Sequence, residues 1–397
     1  MLNIMSLLNK PAFHIVMLFC LLANVQAAPN TNGSCNGVPL RTEFSSGVAW
    51  SMCVSLDSEE GLVVNNVKNT IKNLERRILS RASLSQSETV FDDNRTRPNF
   101  MVTRDGLGSN KLITLSTQDC PNGKLYPDST GRKVICARSQ EDGLLYKYAY
   151  EAYRQGSFFE VFSISQANDF QTYTQRWRFY ENGIIEPAIG FGGKIPRFAS
   201  DTLGFGRAVT DSNSWALGFS SYLGWRLDFD LGNDANNDIA EEITSTPSAS
   251  RRQKTLRTEV IATEAARNLD PEIKRTWRVK DGNEVNESGL AISYEIAPGQ
   301  YYQSANNVRG RPWLNNDIYF TRYHECERYA SDNNEAACPK NLLAYIQNKE
   351  PIEKSDLVVW YKQSYHYLPR SDDSDFISTD WVSFQLIPRD WNGSNPL

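Results

Sequence analysis

The residues best suited to chemistry are few, and their spacing matches no common catalytic motif. Histidine, the side chain most used as an acid, a base or a transition-metal ligand, occurs only at His14, His324 and His366. No phosphate-binding loop, Ser-His-Asp set or Cys-His pair is visible. The clearest pattern is Asp228-Phe229-Asp230, which can offer two carboxylates to a hard cation. The alternative is that these aspartates form the solvated face of a strand, and the residues alone favour that alternative.

Cysteine usage points to an oxidising compartment. Six of the 7 cysteines lie beyond the N-terminal apolar run and form three pairs that are close in the sequence. No CxxC spacing is present, which argues against metal binding. An even number of cysteines predicts disulfides, and local pairing is the simplest of about fifteen connectivities. The predicted bonds are Cys35–Cys53, Cys120–Cys136 and Cys326–Cys338.

The N-terminus has the pattern of a secretory signal. The apolar run Phe13–Leu22 is shorter than a membrane span, and Val25-Gln26-Ala27 has the small residues of a cleavage site. We therefore expect a secreted protein, extracellular or periplasmic; a retained anchor is the alternative. The predicted division is a signal peptide over 1–27, a flexible N-terminal segment over 28–46 and a folded domain over 47–397.

Charge and hydropathy exclude two classes of partner. A net charge of −5 at pH 7 leaves no basic footprint for nucleic acid. No later segment is apolar enough to cross a membrane. Neither nucleic acid nor a membrane is therefore expected as a partner.

Composition and patterning predict a mainly β protein. The 9 Trp, 18 Tyr and 18 Phe favour sheets, and residues 177–185 alternate around Asn182-Gly183, which predicts a β-hairpin. Leu62–Leu79 instead has apolar residues at helical spacing, so periodicity predicts a helix there. Asn233–Arg252 and Ser371–Asp375 are polar and are predicted to be surface loops.

Ordered motifs across residues 47–397 resemble the catalytic domain of copper amine oxidases. Asp356–Tyr361 and Trp381–Arg389 resemble the closing strands of that family, and Val134–Tyr148 resembles a motif that precedes them. Trp177–Gly183 is similar to the segment that follows the family's quinone-forming tyrosine. The resemblance implies a large twisted β-sandwich (a supersandwich), usually a homodimer, that oxidatively deaminates primary amines with copper and topaquinone. It also argues for strands, not a helix, between residues 62 and 79.

The resemblance locates two catalytic positions, and both hold unsuited residues. Counting back from Trp177 places Gln171 at the tyrosine that becomes the quinone, and glutamine has no phenol to oxidise. Tyr173 matches a second tyrosine of that pattern and would replace the first only after a shift of register. Met101 falls at the general base, and a thioether does not accept the substrate proton. Asp105 is nearby in another register and is expected to be a turn residue.

The family's three copper-binding histidines are also replaced. Phe219 and Ser221 stand at two of them and Tyr367 at the third, and none of these is a suitable copper ligand. His366 lies one residue away, so in a strand its side chain points to the opposite face. Once the signal peptide is removed, two histidines remain for a site that needs three. Copper and topaquinone are therefore predicted to be absent.

The resemblance implies that a peripheral calcium site is kept. The family uses both aspartates of an Asp-x-Asp, the carbonyl between them, and an aspartate with the following carbonyl on a closing strand. The matching residues here are Asp228, Phe229, Asp230, Asp356 and Leu357. Three carboxylates and two carbonyls suit calcium, so a calcium ion is expected.

These patterns lead to one main hypothesis for function. The protein is expected to be a secreted, catalytically silent relative of copper amine oxidases that acts by binding an unidentified ligand or protein. Its former pocket, lined by Met101, Gln171, Phe219 and Tyr367, is expected either to be filled or to hold that ligand. One alternative is a primary amine oxidase with an atypical copper and topaquinone site, and another is a regulatory partner of an active relative.

Overall fold

The computed structural model describes residues 35–92, 100–150, 152–199, 206–208, 214–232, 234–247, 254–299, 311–370 and 375–394. The predicted signal peptide lies outside these residues, as does the predicted loop at 371–375 except for its last residue. None of the helices in the described ranges is long and apolar enough to cross a membrane.

Strands dominate the described residues. In chain order they are β1 (Val38–Glu43), β2 (Ala49–Asp57), β3 (Gly61–Ile71), β4 (Leu74–Phe91), β5 (Lys124–Pro127), β6 (Lys133–Tyr148), β7 (Ala152–Gln166), β8 (Gln171–Tyr180), β9 (Ile185–Lys194), β10 (Arg197–Ala199), β11 (Gly206–Ala208), β12 (Ser214–Leu217), β13 (Phe219–Gly232), β14 (Asp238–Pro247), β15 (Lys254–Val260), β16 (Ala265–Arg267), β17 (Thr276–Val285), β18 (Ala291–Ala297), β19 (Ile318–Arg322), β20 (Leu357–Tyr367), β21 (Phe376–Ser383) and β22 (Gln385–Arg389). The helices are α1 (Val102–Asp105), α2 (Leu342–Tyr345) and the 3-10 turns Ser109–Lys111 and Pro312–Asn315.

The described strands form two large antiparallel sheets. Eight strands make the first, in the order β1-β2-β3-β4-β13-β20-β19-β16. Eleven make the second, in the order β15-β14-β17-β18-β22-β9-β8-β7-β6-β5, with β21 also paired to β9. β10, β12 and β11 form a small third sheet. The predicted mainly β class is confirmed.

Aromatic side chains from both large sheets form a common core. Trp177 of β8 meets Trp225 of β13 edge-on at 5.6 Å, and both are at most 1% exposed. Trp225 also lies 5.8 Å from Phe384, which joins β21 to β22. Because side chains alternate along a strand, each sheet presents one aromatic face inward. This packing is the predicted β-sandwich.

The helix predicted over Leu62–Leu79 is wrong, and two strands, β3 and β4, occupy that stretch. They meet at Lys72-Asn73, whose φ angles of 50° and 65° fit a two-residue hairpin turn. The helical spacing has a local cause. Asn66 has φ 49°, and the β3–β4 register shifts beside Val67. This bulge places Val64 and Val67 three residues apart although both are fully buried.

The surface loop predicted over Asn233–Arg252 is also wrong for half of its length. Residues Asp238–Pro247 form β14, which pairs with β15 on one side and β17 on the other. Ile239 and Ala240 are buried, so two apolar residues anchor a largely polar strand. The ends of the predicted loop, 233 and 248–252, lie outside the described residues.

The N-terminal segment predicted to be flexible contains an ordered strand. β1 pairs with β2 throughout, from Val38 opposite Val54 to Glu43 opposite Ala49. Because Cys35 is also bonded to Cys53, the folded domain begins before Gly47.

Local predictions were more successful. β8 and β9 form the predicted hairpin, and Gly183 at its turn has φ 88°, a backbone angle that favours glycine. All three predicted disulfides are confirmed, with Cα separations of 5.6, 5.8 and 5.9 Å. They are Cys35–Cys53, Cys120–Cys136 and Cys326–Cys338.

Candidate functional site

The former catalytic positions meet between the two large sheets. In the β13–β20 ladder, Phe219 lies directly opposite Tyr367, and Ser221 lies opposite Tyr365. These four side chains share one face because alternate residues of a strand point the same way. Gln171, the first residue of β8, approaches that face from the other sheet. The structure therefore brings together the residues that the resemblance assigns to the quinone position and to all three copper positions.

Aromatic rings fill the space between these strands. Phe219 lies 5.1 Å from Tyr367 and 5.9 Å from Phe91. Tyr365 stacks on Phe191 at 4.5 Å with an interplanar angle of 7°. We call these five residues the aromatic cluster; each is at most 5% exposed. Among the described residues, a cavity of about 10 Å³ lies beside these rings and is lined by Gln171, Phe191, Gly192, Phe219, Tyr365 and Ile377.

Gln171 is held as a structural amide. Its Oε1 accepts a hydrogen bond from Asn168 Nδ2 at 2.8 Å, and the Asn168 carboxamide oxygen accepts one from the Gln171 backbone at 2.7 Å. The Gln171 Nε2 is buried and has no partner among the described residues. Because the cavity is close to the size of one water molecule, we expect a single water there as its acceptor. An amide at this position does not fit a quinone cofactor.

Tyr173, the second tyrosine of the resemblance, is buried in the core. Its hydroxyl lies 3.3 Å from Thr89 Oγ1, which lies 3.0 Å from Ser221 Oγ. Phe100 and Phe191 contact its ring edge-on at 5.0 and 5.1 Å. Burial raises the pKa of the Tyr173 hydroxyl. Hydrogen bonding and packing therefore hold Tyr173 as a neutral core residue.

The side chains at the copper positions do not fit a copper ion. The Phe219 ring has no donor atom, and the Tyr367 ring packs against it. The Ser221 hydroxyl is engaged with Thr89. His366 stands opposite Ser220, outside the aromatic face, and its Nε2 lies 3.1 Å from Asp92 Oδ2. The aromatic rings fill the space between the strands at these positions.

Met101 is buried but does not line the cavity. It immediately precedes α1, and its backbone N–H donates to Asp105 Oδ2 at 2.8 Å. A single bridge links it to Glu88 of β4. Asp105, the last residue of α1, therefore closes a turn, as its position beside Gly106 predicted. The structure does not join Met101 to the other former catalytic positions.

The residues of the expected calcium site converge at the end of the β13–β20 ladder. Phe229 lies opposite Leu357, which places Asp228 and Asp230 beside Asp356. Asp228 and Asp230 are 3% and 2% exposed, so the alternative that they form a solvated face is wrong. We call Asp228, Asp230 and Asp356 the peripheral acidic site.

Negative charge in the peripheral acidic site is only partly balanced. Arg77 pairs with Asp230, but the other oxygen of Asp230 is buried and has no hydrogen-bond partner among the described residues. Arg226 Nη1 lies 3.3 Å from Asp228 Oδ2. Burial, followed by repulsion from Asp228 and Asp230, raises the pKa of Asp356 to about 7. A hard cation would relieve this repulsion, and the carboxylate and carbonyl oxygens fit such an ion.

A second ligand-rich cluster was missed by the sequence analysis. Glu264, His324 and Glu350 each place one ligand atom within 4.8 Å of the others. Imidazole and carboxylate groups are common ligands for divalent cations. No sequence signal marked the cluster, because its residues come from distant parts of the chain and meet only through tertiary contacts.

Glu327 adjoins this cluster and is expected to make stability depend on pH. Burial raises its pKa from 4.5 to about 7; His324 opposes that shift, and Glu264 and Glu350 add to it. Because the folded pKa is the higher one, folding favours the protonated carboxyl. The stability that Glu327 gains from this protonation is full below pH 4.5 and is lost as pH rises through about 7. Glu327→Gln should therefore be more stable than the parent by ~1–3 kcal/mol at pH 8 and similar at pH 4.5.

Thermal unfolding in EDTA across this pH range would test the Glu327 prediction. The matched control is Glu325→Gln, which alters an exposed carboxylate nearby and should change stability by less than about 0.5 kcal/mol. Identical pH profiles for the parent and Glu327→Gln would contradict the prediction.

The fold and the site together define a large antiparallel β-sandwich whose central strands carry the positions of an amine oxidase centre. The family model for the copper amine oxidase enzyme domain matches residues 46–397, and the chain belongs to that family.

Curated relatives are distant in sequence. A copper-containing peroxisomal diamine oxidase of Nicotiana tabacum is 22% identical over 392 residues, which covers 87% of this chain and 49% of that protein. The histamine oxidase of Arthrobacter globiformis is 23% identical over 386 residues, covering 88% and 56%. The chain thus spans about half the length of the curated relatives it matches.

Solved structures confirm the fold. A copper-containing benzylamine oxidase from Hansenula polymorpha aligns with a TM-score of 0.76 at 18% identity, over 90% of this chain and 60% of that one. An amine oxidase from Aspergillus nidulans gives a TM-score of 0.72 at 18% identity, over 98% and 56%.

Proposed function

We propose that this chain is a secreted member of the copper amine oxidase family that acts by binding and does not oxidise amines. The aromatic cluster carries the proposal. The cavity that Phe219 and Tyr365 line in the described part of the chain has a volume of about 10 Å³, too little for a substrate with a cofactor. The copper positions hold a phenyl ring, a hydroxyl and a phenol in place of three histidines, and the quinone position holds the amide of Gln171, which has no phenol to oxidise.

Open surface outside the aromatic cluster supports a binding role. A cleft of about 650 Å³ lies beside the turn that precedes Gln171 and is lined by Lys111, Phe170 and Lys194 among others. The β6–β7 hairpin exposes Tyr148 and Tyr150, which are 80% and 98% accessible. Tyrosine is enriched at protein interfaces, so this hairpin suits a protein partner such as a second copy or an active relative.

Two further features are part of the proposal. The three disulfides support export to an oxidising compartment, extracellular or periplasmic. The peripheral acidic site, with the carbonyls of Phe229 and Leu357, is proposed to bind calcium because its buried carboxylates are incompletely balanced.

The chemistry is tested on protein purified from the medium of a copper-supplemented secreting host. We expect calcium but no stoichiometric copper by metal analysis, no coloured adduct with phenylhydrazine, and no hydrogen peroxide from primary amines. An active amine oxidase secreted by the same host serves as the positive control. Copper near one ion per chain, together with an adduct or peroxide, would instead establish an amine oxidase with an atypical site. Light scattering tests whether a second copy of the chain is the partner, and a monomeric mass would exclude a homodimer.

A further inference from the structure

Two buried aspartates face each other across neighbouring strands of the larger sheet. Asp238, the first residue of β14, is paired directly with Asp281 of β17 in the antiparallel ladder. Directly opposed residues of such a ladder place their side chains on the same face, about 5 Å apart at Cβ. Asp238 is 0% exposed and Asp281 is 1% exposed. Two carboxylates in this arrangement repel each other unless something between them neutralises the charge.

Each of these carboxylates keeps one free oxygen in a fixed orientation. The Leu231 N–H donates to Asp238 Oδ2 at 3.4 Å, and the N–H groups of Asn283 and Glu284 donate to Asp281 Oδ1 at 2.7 and 2.6 Å. Asp238 Oδ1 and Asp281 Oδ2 are buried and have no partner among the described residues. Backbone donors thus hold both groups in place and leave one oxygen of each for a ligand.

Neighbouring residues offer more oxygens. Asn237 Oδ1 and Asp230 Oδ1 are also buried without a partner in the described part of the chain, and Asn237 Nδ2 donates to Asp281 at 3.2 Å. Gly232 leaves a gap on this side, since a Cβ there would lie 2.8 Å from Asp281 Oδ2 and closer still to Glu284 Oε2. Carboxylate oxygens therefore converge where a side chain is missing.

The cationic side chains nearby are committed to other carboxylates. Arg77 pairs with Asp230, and Arg76 pairs with Glu284. Among the described residues, none of the ion pairs includes Asp238 or Asp281. Burial, and repulsion from Asp281 and Asp230, raise the pKa of Asp238 well above its ordinary value. The negative charge here is therefore uncompensated by the protein itself.

We propose that Asp238 and Asp281 bind a calcium ion at a site separate from the peripheral acidic site, with Asn237 as a further oxygen donor. A set made only of carboxylate and amide oxygens selects a hard cation, and its irregular arrangement suits calcium better than magnesium. The ion links Asp238 of β14 to Asp281 of β17. Extracellular calcium would then stabilise the larger sheet directly.

Calcium stoichiometry tests this site on the full secreted chain, stripped with EGTA and titrated with calcium chloride in a calorimeter. Asp281→Asn is expected to bind one calcium ion fewer than the parent. Asp356→Asn, which alters the peripheral acidic site and leaves the side chains of Asp238 and Asp281 in place, is expected to retain the ion that depends on Asp281. Asp234→Asn changes an exposed aspartate nearby and is expected to match the parent. These comparisons keep failure of the peripheral site distinct from failure of the new one.

Thermal unfolding provides a second readout. In EGTA, Asp281→Asn should be at least as stable as the parent, because the amide removes repulsion and its oxygen can keep the backbone hydrogen bonds. Added calcium should then raise the unfolding temperature of the variant less than that of the parent. Equal calcium stoichiometry and equal stabilisation in parent and variant would overturn the proposal and indicate a shared proton. Asp238→Asn is expected to give the same loss of one calcium ion and the same smaller stabilisation by calcium. It is the variant to measure if Asp281→Asn does not fold.

Discussion

Phe219→Ala is expected to lower the free energy of unfolding by about 3–5 kcal/mol. Phe219 is 2% exposed and contacts three rings of the aromatic cluster, those of Phe91, Tyr365 and Tyr367. Truncation removes buried apolar surface and opens a cavity between two sheets that cannot fully collapse. Urea unfolding at neutral pH measures the loss.

A matched control for this prediction is Phe376→Ala. Phe376 lies at the start of β21 and is 65% exposed, so its truncation should cost less than about 0.5 kcal/mol. The cavity opened by Phe219→Ala should also let benzene raise the unfolding temperature of that variant alone. Equal stability of the parent and Phe219→Ala would mean that the cluster does not fill the former centre, and the proposed function would lose its main support.

Glu160→Gln is expected to lower the free energy of unfolding at pH 7 by about 3 kcal/mol. Glu160 of β7 is 1% exposed and binds Arg138 and Arg178 at 2.8 Å, with Arg176 at 3.6 Å. Burial alone would raise its pKa, but Arg178 and Arg138 outweigh burial and the net shift is downward. Loss of the charge leaves three arginines facing one another across β6, β7 and β8.

The pH dependence of this effect has a definite sign. A carboxylate with a lowered folded pKa stabilises the protein above its ordinary value of 4.5 and loses that effect as pH falls further. The difference between parent and Glu160→Gln should therefore shrink in acid, as followed by urea unfolding at pH 7 and at low pH. Glu295→Gln is the control, because its partner Arg389 is 53% exposed and such surface pairs contribute about 0–1 kcal/mol. Comparable losses in both variants would refute the prediction.

Prediction from sequence worked where the interaction was local. The three disulfides join cysteines 12 to 18 residues apart, and the hairpin at Asn182-Gly183 depends on the backbone freedom of its own turn. Prediction failed where a bulge changed the spacing of apolar residues in one strand and where another strand is largely polar. The bulge at Asn66 gave β3 a helical spacing, and β14 looked like a loop because few of its residues are apolar.

Part of the candidate site followed from register alone. Family motifs placed Gln171, Phe219, Ser221 and Tyr367, and the structure brings these four together. Tyr365, which completes the aromatic cluster, was missed, although its position two residues before Tyr367 puts it on the same face of the strand. Met101 was placed at the base position, yet it does not reach the cavity.

The sequence by itself determined which chemical groups the chain has. The three histidines and the even number of cysteines beyond the N-terminal apolar run are matters of composition, and Gln171 is the residue that the resemblance assigns to the quinone position. Only the tertiary structure decided how those groups are used. It closed the aromatic cluster to about 10 Å³, buried Asp228 and Asp230, and set Asp238 against Asp281. Burial and opposition of charges depend on contacts between strands far apart in the chain, and no local pattern records such contacts.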